Sequence, residues 1–113
     1  MADDGFCELL DGPRALEEAI RTRDRLYVLF YASWCPFSRA FLPEYVDCPK
    51  PGEYVRILCE DTDEHVKKYK IEVYPTVLYF EKGKVVHRLD GKYMAGLTRK
   101  ALDQFVDTCA ASK

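Results

Sequence analysis

At 113 residues, 48% hydrophobic and 32% charged, the chain has the size and make-up of one globular domain, residues 1–113, with a single sizeable core. Its formal charge of −2 comes without a lysine or arginine stripe, which argues against nucleic acid as a partner. No stretch approaches the roughly 18 apolar residues of a membrane span, and the acidic start Met-Ala-Asp-Asp-Gly has no signal-like apolar run behind it. Either the protein is cytoplasmic or a processed segment has been removed, and the starting methionine favours the first; the expectation is a cytoplasmic protein, a monomer without a membrane partner.

Taken in order, Phe6 to Leu10 reads as a short first strand. Asp11-Gly12-Pro13 comes next as a helix start, an acidic capping residue and then a proline where no N–H is needed. The helix Arg14–Thr22 places Ala15, Leu16, Ala19 and Ile20 at helical spacing. Leu26 to Tyr31 contains no charged or amide side chain, as expected of a central strand covered on both faces. A second helix runs from about Pro36 into the mid-forties with Pro43 inside it, an internal proline that removes a hydrogen bond. Cys48 to Gly52 is a loop by composition. Tyr54 to Cys59 forms a third strand, and Asp61-Thr62-Asp63 opens a short helix, Glu64 to Tyr69. Thr76–Phe80 and Val85–Leu89 are two strands around the turn Glu81-Lys82-Gly83-Lys84. Gly91 and Gly96 flank a loop, and Thr98 caps a last helix carrying Ala101, Leu102, Phe105, Val106 and Cys109 on one face. The order βαβαβαββα predicts an α/β domain, a mixed sheet with helices on both sides. His65 and His87 stand in charged surroundings and read as exposed, and the Lys/Glu alternation over 64–72 reads as a solvated face.

The chemistry concentrates at Trp34-Cys35-Pro36-Phe37-Ser38. A cysteine between an apolar strand and a proline-initiated helix meets the unpaired N–H groups and positive dipole end of that helix, which favour a thiolate nucleophile. The plain alternative is a buried structural cysteine. Three residues on stands Ser38, so no disulfide can close within the motif. Its hydroxyl is either an idle helix-surface group or a hydrogen-bond donor to the Cys35 thiolate. The cysteine count of five is odd, which leaves at least one unpaired. Cys7, Cys48, Cys59 and Cys109 have no zinc-like spacing and read as small apolar residues of a reducing compartment.

The segment Phe30 to Ser38 resembles the active-site stretch of the thioredoxin superfamily in a single-cysteine version. Val73-Tyr74-Pro75-Thr76 resembles the family's Pro-Thr element, and Leu78 to Val85 its terminal hairpin. The resemblance implies a thioredoxin fold in which Pro75 is cis and faces Cys35, presenting a backbone edge that an extended peptide can pair with. It implies Cys35 and Ser38 as catalytic positions, and Trp34, Pro36, Phe37, Tyr74, Pro75 and Thr76 as the substrate-binding ones. Where the family commonly buries an Asp or Glu that serves the second cysteine, this chain has Leu29. With no second thiol to deprotonate, a buried charge there would carry only its desolvation cost. Phe30-Tyr31-Ala32 leans toward disulfide isomerase domains. The implied activity is thiol–disulfide exchange on protein disulfide or glutathionylated substrates, with no cofactor or metal, resolved by glutathione, another external thiol, or Cys59. Cys59 is expected to be a core residue instead. The second hypothesis is a binding module that tethers clients through Cys35 and the cis-proline groove.

Overall fold

The computed structural model describes residues 8–46, 53–92 and 94–111. Cys7, Cys48 and the loop expected around Cys48 to Gly52 lie outside the described residues. The elements are β1 (Glu8–Leu10), α1 (Pro13–Thr22), β2 (Arg25–Tyr31), α2 (Pro36–Val46), β3 (Tyr54–Leu58), α3 (Glu64–Lys68), β4 (Thr76–Glu81), β5 (Lys84–Asp90) and α4 (Arg99–Ala111). The strands form one sheet in the order β1-β3-β2-β4-β5. β2 runs parallel to β3 and antiparallel to β4, so the sheet is mixed and β2 lies at its centre.

The alternation of side chains along a strand explains why β2 must be apolar from Leu26 to Tyr31, after the half-buried Arg25. Leu26, Val28 and Phe30 enter one core with Leu16, Ala19, Ile20 and Val66, beneath α1 and α3. Tyr27, Leu29 and Tyr31 enter the other with Phe41, Tyr45, Leu102 and Phe105, beneath α2 and α4. Each such fully buried side chain contributes about 1.5–3 kcal/mol. A polar residue at either parity would face a core.

α2 is held by its inward face. Ser38, Phe41, Tyr45 and Val46 are buried, and the Tyr45 hydroxyl lies 3.0 Å from the Tyr27 carbonyl and 2.8 Å from that of Val55. One side chain thus ties the helix to two neighbouring strands. Thr98 caps α4 by accepting the Ala101 amide at 3.1 Å.

Three local expectations change. Asp11 does not cap α1, because Gly12 takes the N-cap position at φ 95° with Pro13 following, a backbone region that favours glycine. His65 is 2% exposed instead of solvent-facing, since the first turn of α3 points it at Phe30, with ring centroids 6.3 Å apart. Its Nε2 is 3.1 Å from the Leu58 carbonyl, while its Nδ1 is buried without a partner. His87 is half-buried on β5, with Nε2 enclosed. The solvated reading of 64–72 holds for Glu64, Lys67, Lys68, Lys70 and Glu72, but Val66 and Ile71 turn inward.

Strand register decides which segments meet. Tyr31 at the end of β2 pairs with Leu58 at the end of β3. Phe30 pairs with Thr76 at the start of β4, and Thr76 with Asp90 at the end of β5. Segments 32–38, 59–63, 72–75, 91–92 and 94–96 therefore converge at one end of the sheet.

Candidate functional site

Cys35 immediately precedes α2, and its carbonyl accepts the Arg39 amide at 3.0 Å. This places the residue at the helix N-terminus, where free amides and the dipole meet negative charge. The Tyr74–Pro75 peptide bond is cis. The Cys35 thiol points at the Tyr74 carbonyl, Sγ to O 3.8 Å. Cysteine and cis-proline edge therefore face one another, each carried by its own strand end.

The surroundings fix this edge. Gly91 lies so close to it that a Cβ there would sit 2.4 Å from the Pro75 carbonyl oxygen. Thr76 is fully buried, donates its hydroxyl to the Val73 carbonyl at 2.8 Å and accepts the Gly91 amide at 3.5 Å. The Tyr74 hydroxyl donates to Asp61 at 3.1 Å. Burial, and next the bond to Asp61, hold this phenol well above its ordinary pKa. Trp34 stands edge-to-face with Tyr74, ring centroids 5.8 Å apart. Gly96, at φ 74°, packs beneath Phe37, where a Cβ would come within 2.8 Å of the Phe37 Cβ.

Beside this edge lies a cleft of about 280 Å³ lined by Cys35, Trp34, Phe37 and Tyr74, while Pro36, Pro75 and Thr76 are not part of its lining. Cys35 is 7% exposed at its floor, whereas Trp34 at its rim is 61% exposed. Four further residues of the wall are not singled out by the sequence: Asp61, Glu72, Lys92 and Met94. Asp61 reads there only as a helix start, and Met94 as loop. A signal for Met94 does exist, a large apolar residue between two glycines. It is 70% exposed at φ 64°.

Ser38 is not a helix-surface residue. It is fully buried and accepts the Ala32 amide at 3.2 Å, tying the first turn of α2 to the residue that follows β2. Cys59 does not line the cleft. It is 3% exposed and packs with Phe30, Val66 and Ile71. Its amide donates to the Tyr31 carbonyl at 2.8 Å, and burial pushes its thiol up to about 12. Cys109 is also buried, under α4 near Tyr27, and burial raises its thiol to about 11. Cys35 and Cys59 are free thiols. Among the described residues no group of His, Cys, Asp and Glu is placed to hold a metal ion, and no helix is long and apolar enough to cross a membrane.

The thioredoxin family model matches residues 11–108. The chain belongs to the thioredoxin family. As a member it is 32% identical over 98 residues to a thioredoxin H-type of Picea mariana, covering 83% of this chain and 78% of that one. It is 36% identical over 87 residues to a probable protein disulfide-isomerase A6 of Medicago sativa, covering 72% of this chain and 23% of the relative. The chain therefore spans about a quarter of that relative's length. The thioredoxin structure of Plasmodium falciparum superposes with a TM-score of 0.73 at 23% identity, covering 89% of this chain and 97% of the other, a likeness of fold. Within this thioredoxin fold, Leu29 is fully buried among Tyr27, Tyr31, Phe41 and Val77. An ionised side chain at that position would find an apolar shell.

Proposed function

We propose that this chain is a thioredoxin-like thiol–disulfide oxidoreductase acting through one nucleophilic cysteine, Cys35. The Cys35 thiolate attacks one sulfur of a substrate disulfide. A mixed disulfide forms, the substrate S–S bond breaks, and the departing thiolate takes a proton from solvent. An external thiolate then attacks the mixed disulfide, frees Cys35 and leaves with the bound group as a new disulfide. Electrons balance as exchange: shuffling of a protein disulfide, or removal of glutathione from a protein thiol with a second glutathione as acceptor.

The single observation carrying this reading is the meeting of Cys35 with the Tyr74–Pro75 edge, Sγ to O 3.8 Å. The helix N-terminus there stabilises charge developing on sulfur during exchange. The single-cysteine form is supported by Ser38, whose buried hydroxyl is engaged by Ala32, and by the apolar packing of Cys59. Substrate would lie by strand-like pairing along the Tyr74 side of the cis-Pro75 edge, with Trp34, Pro36 and Phe37 at the flank of the sulfur, while Thr76, already paired with Phe30 and Asp90, holds that edge in place. Ser38 acts through the loop as a positioning residue. The free thiols of Cys35 and Cys59 support a reducing, cytoplasmic setting.

Turnover separates this from a tethering module. With a glutathionylated peptide and excess glutathione, the wild type should release peptide thiol over many cycles, and Cys35→Ser should release none above background. A wild type that forms one equivalent of adduct and stops would make it a client-binding module instead.

A further inference from the structure

The wall of the cleft is charged asymmetrically. Asp61 and Glu72 line it with Lys92 as the lining cation. Asp61 is fixed in place by the Tyr74 hydroxyl, 3.1 Å from its Oδ1, so its charge stands beside the residue whose carbonyl receives the Cys35 thiol. It belongs to the run Glu60-Asp61-Thr62-Asp63-Glu64, four carboxylates without a cation. The Asp63 carboxylate accepts the Glu60 amide at 2.9 Å, which folds this run into a tight loop against the cleft. Glu72 is exposed and has no ion pair among the described residues. Lys92 lines the same cleft from the turn closed by Lys92 and Gly96. Trp34 at the rim, 61% exposed, is the side-chain type that best holds a cation.

We propose that the cleft favours disulfides that carry a positive charge next to the scissile bond, so that it reacts faster with cationic peptide disulfides, glutathionylated ones included, than with the doubly anionic glutathione disulfide. The inference rests on Cys35 being the nucleophile proposed above. It deepens that reading by naming the substrate class: lysine or arginine close to the cystine, placed against Asp61 and Glu72. Glutathione enters as the resolving thiol from excess, against the field, and not as the preferred bound group. The exchange step keeps the balance already given. Only the charge on the departing and retained halves differs.

The test compares three small disulfides of similar size on the full chain: cystamine, a dication; bis(2-hydroxyethyl) disulfide, neutral; and 3,3′-dithiodipropionate, a dianion. Rates of Cys35 adduct formation are each divided by the rate of a free reference thiol with the same disulfide, which removes intrinsic reactivity. Two unit charges ~7 Å apart in a water-like dielectric change local concentration by about threefold. Two carboxylates partly opposed by one lysine should then favour cystamine over dithiodipropionate by about tenfold at low salt. The preference should be lost and turn toward dithiodipropionate in Asp61→Asn/Glu72→Gln, where Asn can still accept the Tyr74 hydroxyl and Lys92 is left as the lining charge. For the wild type in ~1 M NaCl, where the screening length is ~3 Å, the preference should fall to about threefold or less without inverting. That salt series decides the matter alone if the double variant does not fold. Equal normalised rates, a preference for dithiodipropionate, or a preference indifferent to salt would each overturn the inference while leaving Cys35 as nucleophile. No Cys35 adduct with any of the three would overturn the parent reading, and this one with it.

Discussion

Replacing Ser38 by alanine should destabilise the chain by about 1–2 kcal/mol, even though only one hydroxyl is lost. The reason lies in what that hydroxyl accepts. Ser38 is fully buried and takes the Ala32 amide at 3.2 Å, and Ala32 is itself fully buried. Removing the acceptor strands an N–H away from water, which costs about 1–3 kcal/mol. At ~2.1 cal/mol/K per residue, a chain of 113 residues has an unfolding entropy of about 0.24 kcal/mol/K, so 1–2 kcal/mol lowers Tm by about 4–8 °C. Ser38→Cys should lose less, because sulfur remains a weak acceptor of similar volume. It should also bring a second thiol into the motif and reduce a protein disulfide without added glutathione. Differential scanning calorimetry of the three proteins gives the stabilities. A Ser38→Ala protein melting within 1–2 °C of wild type would refute the reasoning, since it would mean that the Ala32 amide had found another partner. A Ser38→Cys protein unable to form an internal disulfide would mean that the buried side chain cannot reach Cys35.

Alkylation of Cys59 should be slow at neutral pH and rise about tenfold per pH unit, since burial pushes its thiol up to about 12 and only the thiolate reacts; a plateau below pH 9 would contradict this. Gly91→Ala must push a methyl group against the Pro75 carbonyl, 2.4 Å from the ideal Cβ, so it should cost about 1–3 kcal/mol and slow adduct formation at Cys35. An unchanged Tm and rate would show that the edge yields freely. Leu29→Asp should destabilise by about 2–4 kcal/mol at neutral pH through lost apolar burial and carboxyl desolvation. Burial raises the folded-state pKa above the unfolded value of ~3.9, so part of the penalty should vanish as pH falls through that range. Urea midpoints at pH 4 and pH 7 measure it, and an equal deficit at both would mean that the carboxyl reaches water.

Much of this architecture can be read from pattern alone. The Leu26–Tyr31 run has no side chain fit for water on either face, and a strand covered on both sides is the one place for it. Trp34 to Ser38 and Tyr74-Pro75-Thr76 mark the two halves of the site, and the sheet register brings them together by pairing Phe30 with Thr76. Ser38 carries a signal of its burial: with Phe41 and Tyr45 it repeats at i, i+3 and i+7, the inward face of α2. His65 is hidden by its neighbours, because a charged sequence context does not reveal which way one short helical turn faces. The acidic wall is not legible in principle. Asp61, Glu72 and Lys92 lie in separate connections, and only the pairing of three strand ends sets them around one sulfur.

The chemistry proposed for the site depends on which sulfur reacts and on the fate of its adduct. The direct measurement is peptide mapping by mass spectrometry after limiting cystamine is added to the fully reduced wild type, with no other thiol present. A single nucleophilic cysteine predicts one mixed disulfide, on Cys35, that persists until an external thiol is supplied and then discharges at a rate proportional to that thiol. An adduct found first on another of the five cysteines, or one that converts unaided into a Cys35–Cys59 disulfide, would contradict that mechanism.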